Sequence, residues 1–315
     1  MNIGMWLGWQ IDYLLFLQNF RDTSGHVLDK FFIHITTFGE VIIPFFIICL
    51  FYWVINKKVG TLIMWSYLFG FIANTIAKMT ACIYRPWILD CRVCPLPEAI
   101  PMATGYSFPS GHTAGVMSVW GALAYSYWQN KLFRYICIFI ILSVMISRNY
   151  LGVHTPQDVV VSFFISIAII YIAKRLIDYS EKNENNCWKI LCGVFFITLI
   201  TLLYITLKSY PIHYLFGKIL YDPCPARTDV IIRSGFIFGA FSGWILEKKY
   251  INFVPENGSI LKKIIRFCLG ILLVLGILSL PIPVFSPEIQ EFIKLIILGL
   301  FVTYIYPLII VKYRF

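Results

Sequence analysis

The sequence predicts an all-α fold, a polytopic membrane helix bundle of about nine transmembrane spans with interfacial N-terminal helices. Apolar residues make up 59% of the 315 residues, whereas charged residues make up only 13%. An ordinary soluble domain does not have this balance. Several apolar runs approach the roughly 20 residues that a helix needs to cross a bilayer. A membrane β-barrel would instead show short segments of alternating polarity.

The predicted spans begin after residue 40. They occupy residues 41–56, 59–78, 112–128, 132–148, 157–174, 187–207, 231–246, 264–280 and 290–311. Residues 1–40 combine aromatic and charged residues in runs too short to span, a pattern typical of amphipathic helices in the membrane interface. A hydrophilic linker follows residue 178. It separates a five-span core at 41–178, which carries the motifs described below, from a four-span C-terminal extension at 187–315, to which no motif assigns a role.

Basic residues between the spans predict the orientation. Fifteen lysines and arginines, Arg314 among them, fall on one side and seven on the other, with three in the motifs set aside. Because the side richer in basic residues is cytoplasmic, we expect a cytoplasmic C-terminus and an extracytoplasmic face for the motifs. The formal charge of +10 therefore indicates topology, and we expect no nucleic-acid partner. The expected location is a membrane such as the bacterial inner (cytoplasmic) membrane.

Three clusters of polar residues lie near the ends of these spans. They are Lys78 with Arg85-Pro86, then the run from Tyr106 to His112 with Ser110 and Gly111, then the run from Ser147 to Asp158 with Arg148 and His154. No span separates the first two clusters, and a two-span hairpin returns the chain to the third. All three should therefore meet at one face. Ionisable groups at a bilayer edge are costly unless they pair or function.

The residue types in these clusters suit phosphate chemistry. Arginine binds phosphate oxygens in a bidentate manner, and lysine adds a point charge. The run Ser110-Gly111-His112 opens a helix, whose first amides complement an anion, and glycine allows close approach of the backbone. An imidazole at His154 with an orienting carboxylate at Asp158 can act as a nucleophile. The second imidazole, His112, is placed to protonate a departing alkoxide.

Each feature taken alone also has a structural explanation. Thr155-x-x-Asp158 has the spacing of a helix capping box, which by itself is the better interpretation. Lys78 at a span end can snorkel to the interface. A Pro109-Ser110-Gly111 turn can simply precede a helix. The combination of all three clusters, in order and on one face, favours the functional interpretation.

The motifs K-x6-R-P, P-S-G-H and S-R-x5-H-x3-D resemble the three-part signature of the type 2 phosphatidic-acid phosphatase superfamily, and they match it at every position. The resemblance covers residues 27 to 175. It implies His154 as the nucleophile that forms a phosphohistidine, Asp158 as its orienting partner, and His112 as general acid and later base. It also implies that Lys78, Arg85, Arg148, Ser110 and Gly111 hold the phosphate. The family's phosphatases need no metal, so we expect no metal and no cofactor.

We therefore expect a metal-independent membrane phosphatase acting on a phosphorylated lipid, with membrane lipids around it. Two alternatives remain. The first is a soluble sugar-phosphate phosphatase similar to glucose-6-phosphatase, or a phosphotransferase. The second is a transporter of a phosphorylated solute. Neither the substrate nor the oligomeric state is set by the sequence. Cys91-x-x-Cys94, with Cys82 and Cys224, leaves a disulfide near the outer face open.

Overall fold

The computed structural model describes residues 5–215, 218–281 and 286–313, and helices dominate it. The helices are α1 (Met5–Thr23), α2 (Asp29–Thr36), α3 (Ile42–Leu50), α4 (Lys57–Ala81), α5 (Pro86–Leu89), α6 (Gly111–Val116), α7 (Ala122–Ser126), α8 (Lys131–Tyr150), α9 (Pro156–Lys182), α10 (Glu184–Leu207), α11 (Cys224–Tyr250), α12 (Ile260–Ser279), α13 (Pro287–Leu300) and α14 (Tyr306–Tyr313). A short antiparallel pair joins β1 (Tyr214–Leu215) to β2 (Lys218–Ile219). The all-α prediction is confirmed. Arg314, used in the charge count, lies outside the described residues.

Helix covers each of the nine predicted segments, but a count of nine spans is not confirmed. In the described parts of the chain, six helices are long and apolar enough to cross a membrane. The number is seven if Asp29–Gly39 and Ile42–Ile55, bent by 51° at their junction, form one span. The helical stretch from α6 to α7 is too short for this test, and α12 carries Lys262, Lys263 and Arg266 near its start. Length and charge therefore separate these helices from the six.

The chain divides into two compact units of non-consecutive stretches. The first unit combines Met1–Phe45, Ile63–Ile172 and Ser209–Pro223, and the second combines Phe46–Leu62, Ala173–Lys208 and Cys224–Phe315. The sequence prediction used consecutive segments instead. Separate roles for 1–40, 41–178 and 187–315 stay predictions. All three motif clusters belong to the first unit.

Helix α8 is the centre of packing in the first unit. It contacts α1, α2, α6 and the 3-10 turn Thr37–Gly39. Its buried Ile140, Ile141 and Val144 pack with Val116 and Met117. Because α8 is apolar and long enough to span a membrane, van der Waals packing of these side chains, rather than their removal from water, stabilises the cluster. This packing holds α6 against α8, and each of these two helices carries residues of one motif.

Helix α1 packs against the rest of the first unit through one face. Ile11 and Leu14 are buried in a cluster with Val93. Arg21 is also buried, and its Nη2 donates to the carbonyl oxygen of Cys94 at 3.0 Å. These contacts tie the N-terminal helix to the loop after α5. Its predicted position in the membrane interface stays a prediction.

In the second unit, α11 and α13 approach closely because small residues line their contact. A Cβ at Gly239 would lie 2.1 Å from the carbonyl oxygen of Ile296, and one at Gly235 would lie 2.4 Å from that of Phe292. Only glycine allows this backbone distance, a pattern common between membrane helices. The second unit is therefore held by backbone proximity as well as by its apolar side chains.

Candidate active site

The three predicted clusters meet in the first unit through direct hydrogen bonds. Lys78 Nζ, at the end of α4, donates to the carbonyl oxygen of Tyr106 at 2.7 Å. Arg85 Nε and Nη2 donate to the carbonyl oxygens of Gly105 (3.0 Å) and Thr104 (2.7 Å). The first cluster is therefore bonded to the loop that carries the second. Lys78 is not a lysine that simply reaches toward solvent.

Arg85 also bonds the first cluster to the third. Its Nη1 donates to the carbonyl oxygen of Val153 at 3.0 Å and to Nε2 of His154 at 2.9 Å. A guanidinium has no acceptor atom, so Nε2 must be unprotonated and the ring proton must sit on Nδ1. The contact thus fixes the tautomer of His154, with a lone pair on Nε2 that faces the cations.

The Asp158 carboxylate holds the other side of the His154 ring. Oδ2 of Asp158 lies 3.1 Å from Nδ1 of His154 and accepts a bond of 2.5 Å from Oγ of Ser107. The same oxygen accepts from the backbone N–H of Thr155 at 2.9 Å, as in a capping box. One oxygen of Asp158 therefore contacts both the start of α9 and the imidazole of His154.

A tight turn after α8 places His154 beside Arg148. Gly152 has φ +72°, a left-handed conformation that favours glycine at a helix C-terminus. The N–H groups of Val153 and His154 then both donate to the carbonyl oxygen of Arg148 at 3.2 Å. Nδ2 of Asn149 donates to the carbonyl oxygen of His154 at 2.9 Å. The backbone of His154 is thus fixed from both sides.

Arg148 is buried with only part of its guanidinium in use. Nη1 donates to Oγ1 of Thr36 at 2.7 Å. Nε and Nη2 have no hydrogen-bond partner among the residues that the structure describes, although Arg148 is 1% exposed. Buried N–H groups of this kind cost free energy unless they are paired. Nε and Nη2 form the edge of the guanidinium that binds a phosphate in a bidentate manner.

The start of α6 completes the cradle. Ser110 is buried as the N-cap, with Oγ accepting from the backbone N–H of Thr113 at 3.3 Å. The Ser110 N–H donates to the carbonyl oxygen of Asp158 at 3.0 Å. The first N–H groups of a helix have no intrahelical acceptor, and those of Gly111 and His112 begin α6. A Cβ at Gly111 would meet nothing within 4 Å, so the backbone there is open to a ligand.

The electrostatics keep His154 neutral. The residue is 1% exposed. Burial, together with the nearby charges of Arg85, Arg148 and Lys78, holds the pKa of the His154 imidazole well below its usual range. A neutral imidazole with its proton on Nδ1 presents a lone pair on Nε2, which is the form that a nucleophile needs.

The structure also brings in residues to which the sequence motifs assigned no role. Ser107 contacts Asp158, Thr36 contacts Arg148, and Glu40 Oε1 lies 3.8 Å from Nε2 of His112. Ser107 lies inside the second motif cluster, so its position in the sequence was a signal that it belongs to the site. Thr36 and Glu40 precede the first motif by about 40 residues, and nothing in the spacing of the motifs points to them.

A groove opens beside the cradle, between α4 and α6. It is lined by Tyr67, Phe71, Asn74, Gly111, Ala114, Gly115 and Ser118. The lining begins at the cradle residue Gly111 and continues along α6 to Ser118, just beyond its end. Its walls are mostly aromatic and small residues. A ligand with a phosphate in the cradle therefore has an apolar surface beside it.

Cysteine and metal chemistry have no assembled site in the described residues. No two of the nine cysteines, all of which lie in the described residues, are joined in a disulfide, so the disulfide left open by the sequence is not formed here. Among residues 5–215, 218–281 and 286–313, no three or more His, Cys, Asp and Glu side chains come together as metal ligands.

Comparison with known protein families gives two matches. The PAP2 superfamily model matches residues 59–182. A second model, PAP2 superfamily phosphatase, transmembrane extension, matches residues 231–315. Residues 231–315, which carry none of the three motifs, therefore match an extension described for PAP2 superfamily phosphatases. With its apolar helices, the match identifies an integral membrane protein.

Three curated relatives illustrate the range of similar proteins. Glucose-6-phosphatase catalytic subunit 1 of Bos taurus is 25% identical over 57% of this chain and 59% of its own length. Phosphatidylglycerophosphatase B of Escherichia coli (strain K12) is 41% identical over 23% of this chain and 30% of its own length. Undecaprenyl-diphosphatase of Sulfolobus acidocaldarius is 26% identical over 38% of this chain and 56% of its own length.

The matches thus span less than two thirds of each relative. No solved structure matches the chain significantly. Both family models describe the same superfamily, and together they bracket the motif-bearing helices and the C-terminal helices. The chain belongs to the PAP2 superfamily, the type 2 phosphatidic-acid phosphatases.

Proposed function

We propose that the protein is a membrane phosphatase that hydrolyses a lipid phosphomonoester, or the terminal bond of a lipid diphosphate, through a phosphohistidine on His154. One observation carries the proposal. A neutral imidazole, oriented by Asp158, points its lone pair at a cluster of buried cations in which Arg148 keeps two N–H groups without partners among the described residues. Such a cluster suits an anion, and the imidazole suits attack on it.

The mechanism follows from these contacts. Nε2 of His154 attacks phosphorus, the P–N bond forms, and the bond to the leaving oxygen breaks. His112 donates a proton to that oxygen. Water then attacks phosphorus, His112 takes its proton, and the P–N bond breaks to release phosphate. Asp158 stabilises the charge that develops on the His154 ring, as a carboxylate does for other catalytic imidazoles.

The cradle residues have separate tasks in this scheme. Arg148 offers Nε and Nη2 to two phosphate oxygens, while Thr36 holds Nη1. Arg85 and Lys78 add charge, although most of their donors hold carbonyl oxygens of the loop. The helix start at Gly111 adds backbone N–H groups. Electrostatic stabilisation by positioned donors of this kind is commonly the largest catalytic effect.

A lipid substrate is favoured by the groove between α4 and α6. Its aromatic and small lining begins at the cradle, so the part of an acyl or prenyl chain nearest the phosphate can lie along it while the phosphate is held. Two of the relatives are named for phosphatidylglycerophosphate and undecaprenyl diphosphate. Because a lipid chain already lies in apolar surroundings in the bilayer, the groove would orient the chain rather than gain affinity by removing it from water.

Hydrolysis or transfer of a soluble sugar phosphate is the second candidate. It is supported by similarity to a glucose-6-phosphatase over 57% of this chain. The same pocket would then hold the phosphate, and the groove would lie beside the sugar. Transfer to an acceptor other than water would use the same phosphohistidine.

Transport without chemistry receives less support from the second unit. Three of its buried charged residues make ion pairs or hydrogen bonds within the unit. Glu247 pairs with Lys57 at 2.9 Å, Lys294 pairs with Glu291 at 2.8 Å, and Arg266 Nη1 donates to the carbonyl oxygens of Trp53 and Pro255. Contacts of this kind are typical of structural ion pairs, which gives transport less support than phosphate chemistry.

We also propose that the motif face is extracytoplasmic and that the C-terminus is cytoplasmic. Individual helices carry a motif residue at one end and, at the other end, a lysine of the side richer in basic residues. α8 begins at Lys131 and carries Arg148 in its last turn, and α9 has Asp158 in its first turn and Lys182 in its last. Labelling of single cysteines placed next to Lys131 and Pro97 in intact cells tests this. Labelling of the site near Lys131 alone would contradict it.

The function is tested by phosphate release from purified protein in EDTA. The substrates are phosphatidic acids of short and long chain, a polyprenyl diphosphate and glucose 6-phosphate. We expect release from the lipids that persists in EDTA and disappears in His154→Ala. His34→Ala, an exposed histidine of the same unit, is the matched control and should keep full activity.

The alternatives predict other outcomes. Preference for glucose 6-phosphate over every lipid would assign a sugar phosphatase. Loss of activity in EDTA, restored by a divalent cation, would exclude the metal-independent mechanism. Release that His154→Ala leaves unchanged would remove His154 as nucleophile. A folded wild-type protein that hydrolyses none of the substrates would contradict the phosphatase proposal.

A further inference from the structure

A carboxylate lies against the second histidine of the site. Oε1 of Glu40 is 3.8 Å from Nε2 of His112. The two side chains are 19% and 13% exposed, so little water surrounds the pair. Nε2 is buried and has no hydrogen-bond partner among the described residues. Catalytic hydrogen bonds are often long without substrate and shorten when it binds.

The backbone before Glu40 makes this proximity possible. A Cβ at Gly39 would lie 2.4 Å from the carbonyl oxygen of His112. A Cβ at Gly115 would in turn lie 2.4 Å from the carbonyl oxygen of Gly39. The 3-10 turn that ends at Gly39 is therefore pressed directly onto α6. The next residue, Glu40, consequently lies alongside the His112 ring.

The charges around His112 make a carboxylate necessary for its proposed work. Arg148 from α8 and Arg85 from the loop before α5 face the His112 ring and oppose its protonation. A positive charge on the buried His154 would also oppose it. Burial opposes it as well. Yet a general acid must carry a proton to donate. Glu40 is the carboxylate that faces His112 and favours its protonated form.

The two imidazoles of the site therefore have parallel arrangements. In His154, Nδ1 faces Asp158 and Nε2 faces the cations. In His112, Nε2 faces Glu40, so Nδ1 is the nitrogen available to the leaving oxygen. Each ring would have a carboxylate on one nitrogen and the reaction at the other.

We propose that Glu40 is a positioning residue that keeps His112 protonated on Nε2 and directs Nδ1–H at the leaving oxygen, a role that rests on the proposed phosphatase function. When the bond between phosphorus and the leaving oxygen breaks, the Nδ1 proton passes to that oxygen. His112 becomes neutral and keeps its Nε2 proton toward Glu40. In the second step Nδ1 takes a proton from the attacking water. Glu40 gains and loses no proton in the cycle.

The leaving group gives a readout that a merely structural role would not change. An alkoxide needs a proton to depart, whereas 4-nitrophenolate is a weak base that departs without one. General acid catalysis contributes about 10²–10⁴-fold to a rate. Loss of its supporting carboxylate should therefore slow an alkyl phosphate about tenfold or more relative to 4-nitrophenyl phosphate.

The experiment compares kcat/KM for an alkyl lipid phosphate and for 4-nitrophenyl phosphate in the wild type and in Glu40→Gln. The ratio of the two values does not depend on the folded fraction. Glu40→Asp, which keeps the charge, should restore part of the ratio. Glu98→Gln, the same change at an exposed carboxylate of the same unit, should leave the ratio unchanged. In a His112→Ala background, Glu40→Gln should have no further effect on the alkyl substrate.

Two results would overturn this role for Glu40. One is an equal slowing of both substrates by Glu40→Gln. The other is an undiminished effect of the substitution in the His112→Ala background. A wild-type protein inactive on both substrates is a different failure, because it would refute the phosphatase function itself.

Discussion

Arg148→Lys isolates the contribution of the guanidinium fork. Lysine keeps the positive charge but has a single ammonium group in place of the planar donors. In the structure, Nη1 is held by Thr36 at 2.7 Å, while Nε and Nη2 have no partners in the described chain. An ammonium group cannot bond Thr36 and also reach two phosphate oxygens with the same geometry. We therefore expect the loss of at least one charge-assisted hydrogen bond to substrate.

The magnitude follows from that lost bond. A hydrogen bond to a charged group contributes about 1.5–3 kcal/mol. At about 1.4 kcal/mol for each factor of ten, kcat/KM should fall by roughly 10-fold to 100-fold. Inhibition by vanadate, a mimic of the pentacoordinate phosphorus, should weaken by a similar factor. A loss confined to KM would mean that the fork binds substrate and transition state equally.

Phosphate release and vanadate inhibition are measured together on purified protein in detergent. Arg134→Lys is the matched control, because Arg134 is on the same helix and belongs to none of the motifs. Its Nη1 donates to the carbonyl oxygen of Trp128 at 3.2 Å. A folded Arg148→Lys protein with kcat/KM within about threefold of wild type would refute the assignment of the fork to the phosphate.

Three further outcomes are expected. Ser107→Ala removes a donor to Asp158 and should lower kcat about tenfold or more, since the carboxylate loses a bond of about 1.5–3 kcal/mol; unchanged kcat would contradict this support. Because the folded pKa of His154 is depressed, its neutral form should persist in acid. The pH at which kcat/KM falls on the acidic side, corrected for substrate ionisation, should therefore lie below the ordinary histidine pKa of about 6.5. A fall at a higher pH would oppose the nucleophile assignment. Gly39→Ala places a Cβ 2.4 Å from the carbonyl oxygen of His112 and should lower the free energy of unfolding by about 1–3 kcal/mol. The measurement is the thermal unfolding midpoint, which should fall. Gly193→Ala, where a Cβ meets open space, should not lower that midpoint.

The depressed pKa of His154 also has a consequence for stability. The unfolded chain takes up a proton near the ordinary histidine pKa, while the folded protein resists it. Stability from this group is therefore complete above that pKa and declines as the pH falls below it. Bound phosphate supplies negative charge beside the cations and should reduce this decline.

Much of the candidate site could be predicted because motif spacing and span topology are local properties. Lys78, Arg85, Ser110, Arg148, His154 and Asp158 meet in the first unit. Apolar run lengths placed helix at each predicted segment. The span count could not follow from run length alone, because the bend at Glu40 and the charges near the start of α12 decide which helices are long and apolar enough to cross a membrane.

The sequence by itself determined the family, the helical class and the residue types gathered for phosphate chemistry, since these depend on composition and short spacings. Only the tertiary structure decided which atoms are used. It assigned the tautomer of His154 through Arg85 and gave Asp158 a second contact at the start of α9. It also brought Thr36 to Arg148 and Glu40 to His112, pairs that are about 110 and 70 positions apart in the sequence. Contacts over such separations arise from packing, here the pressing of a glycine turn onto α6, and packing leaves no periodic signal in the chain.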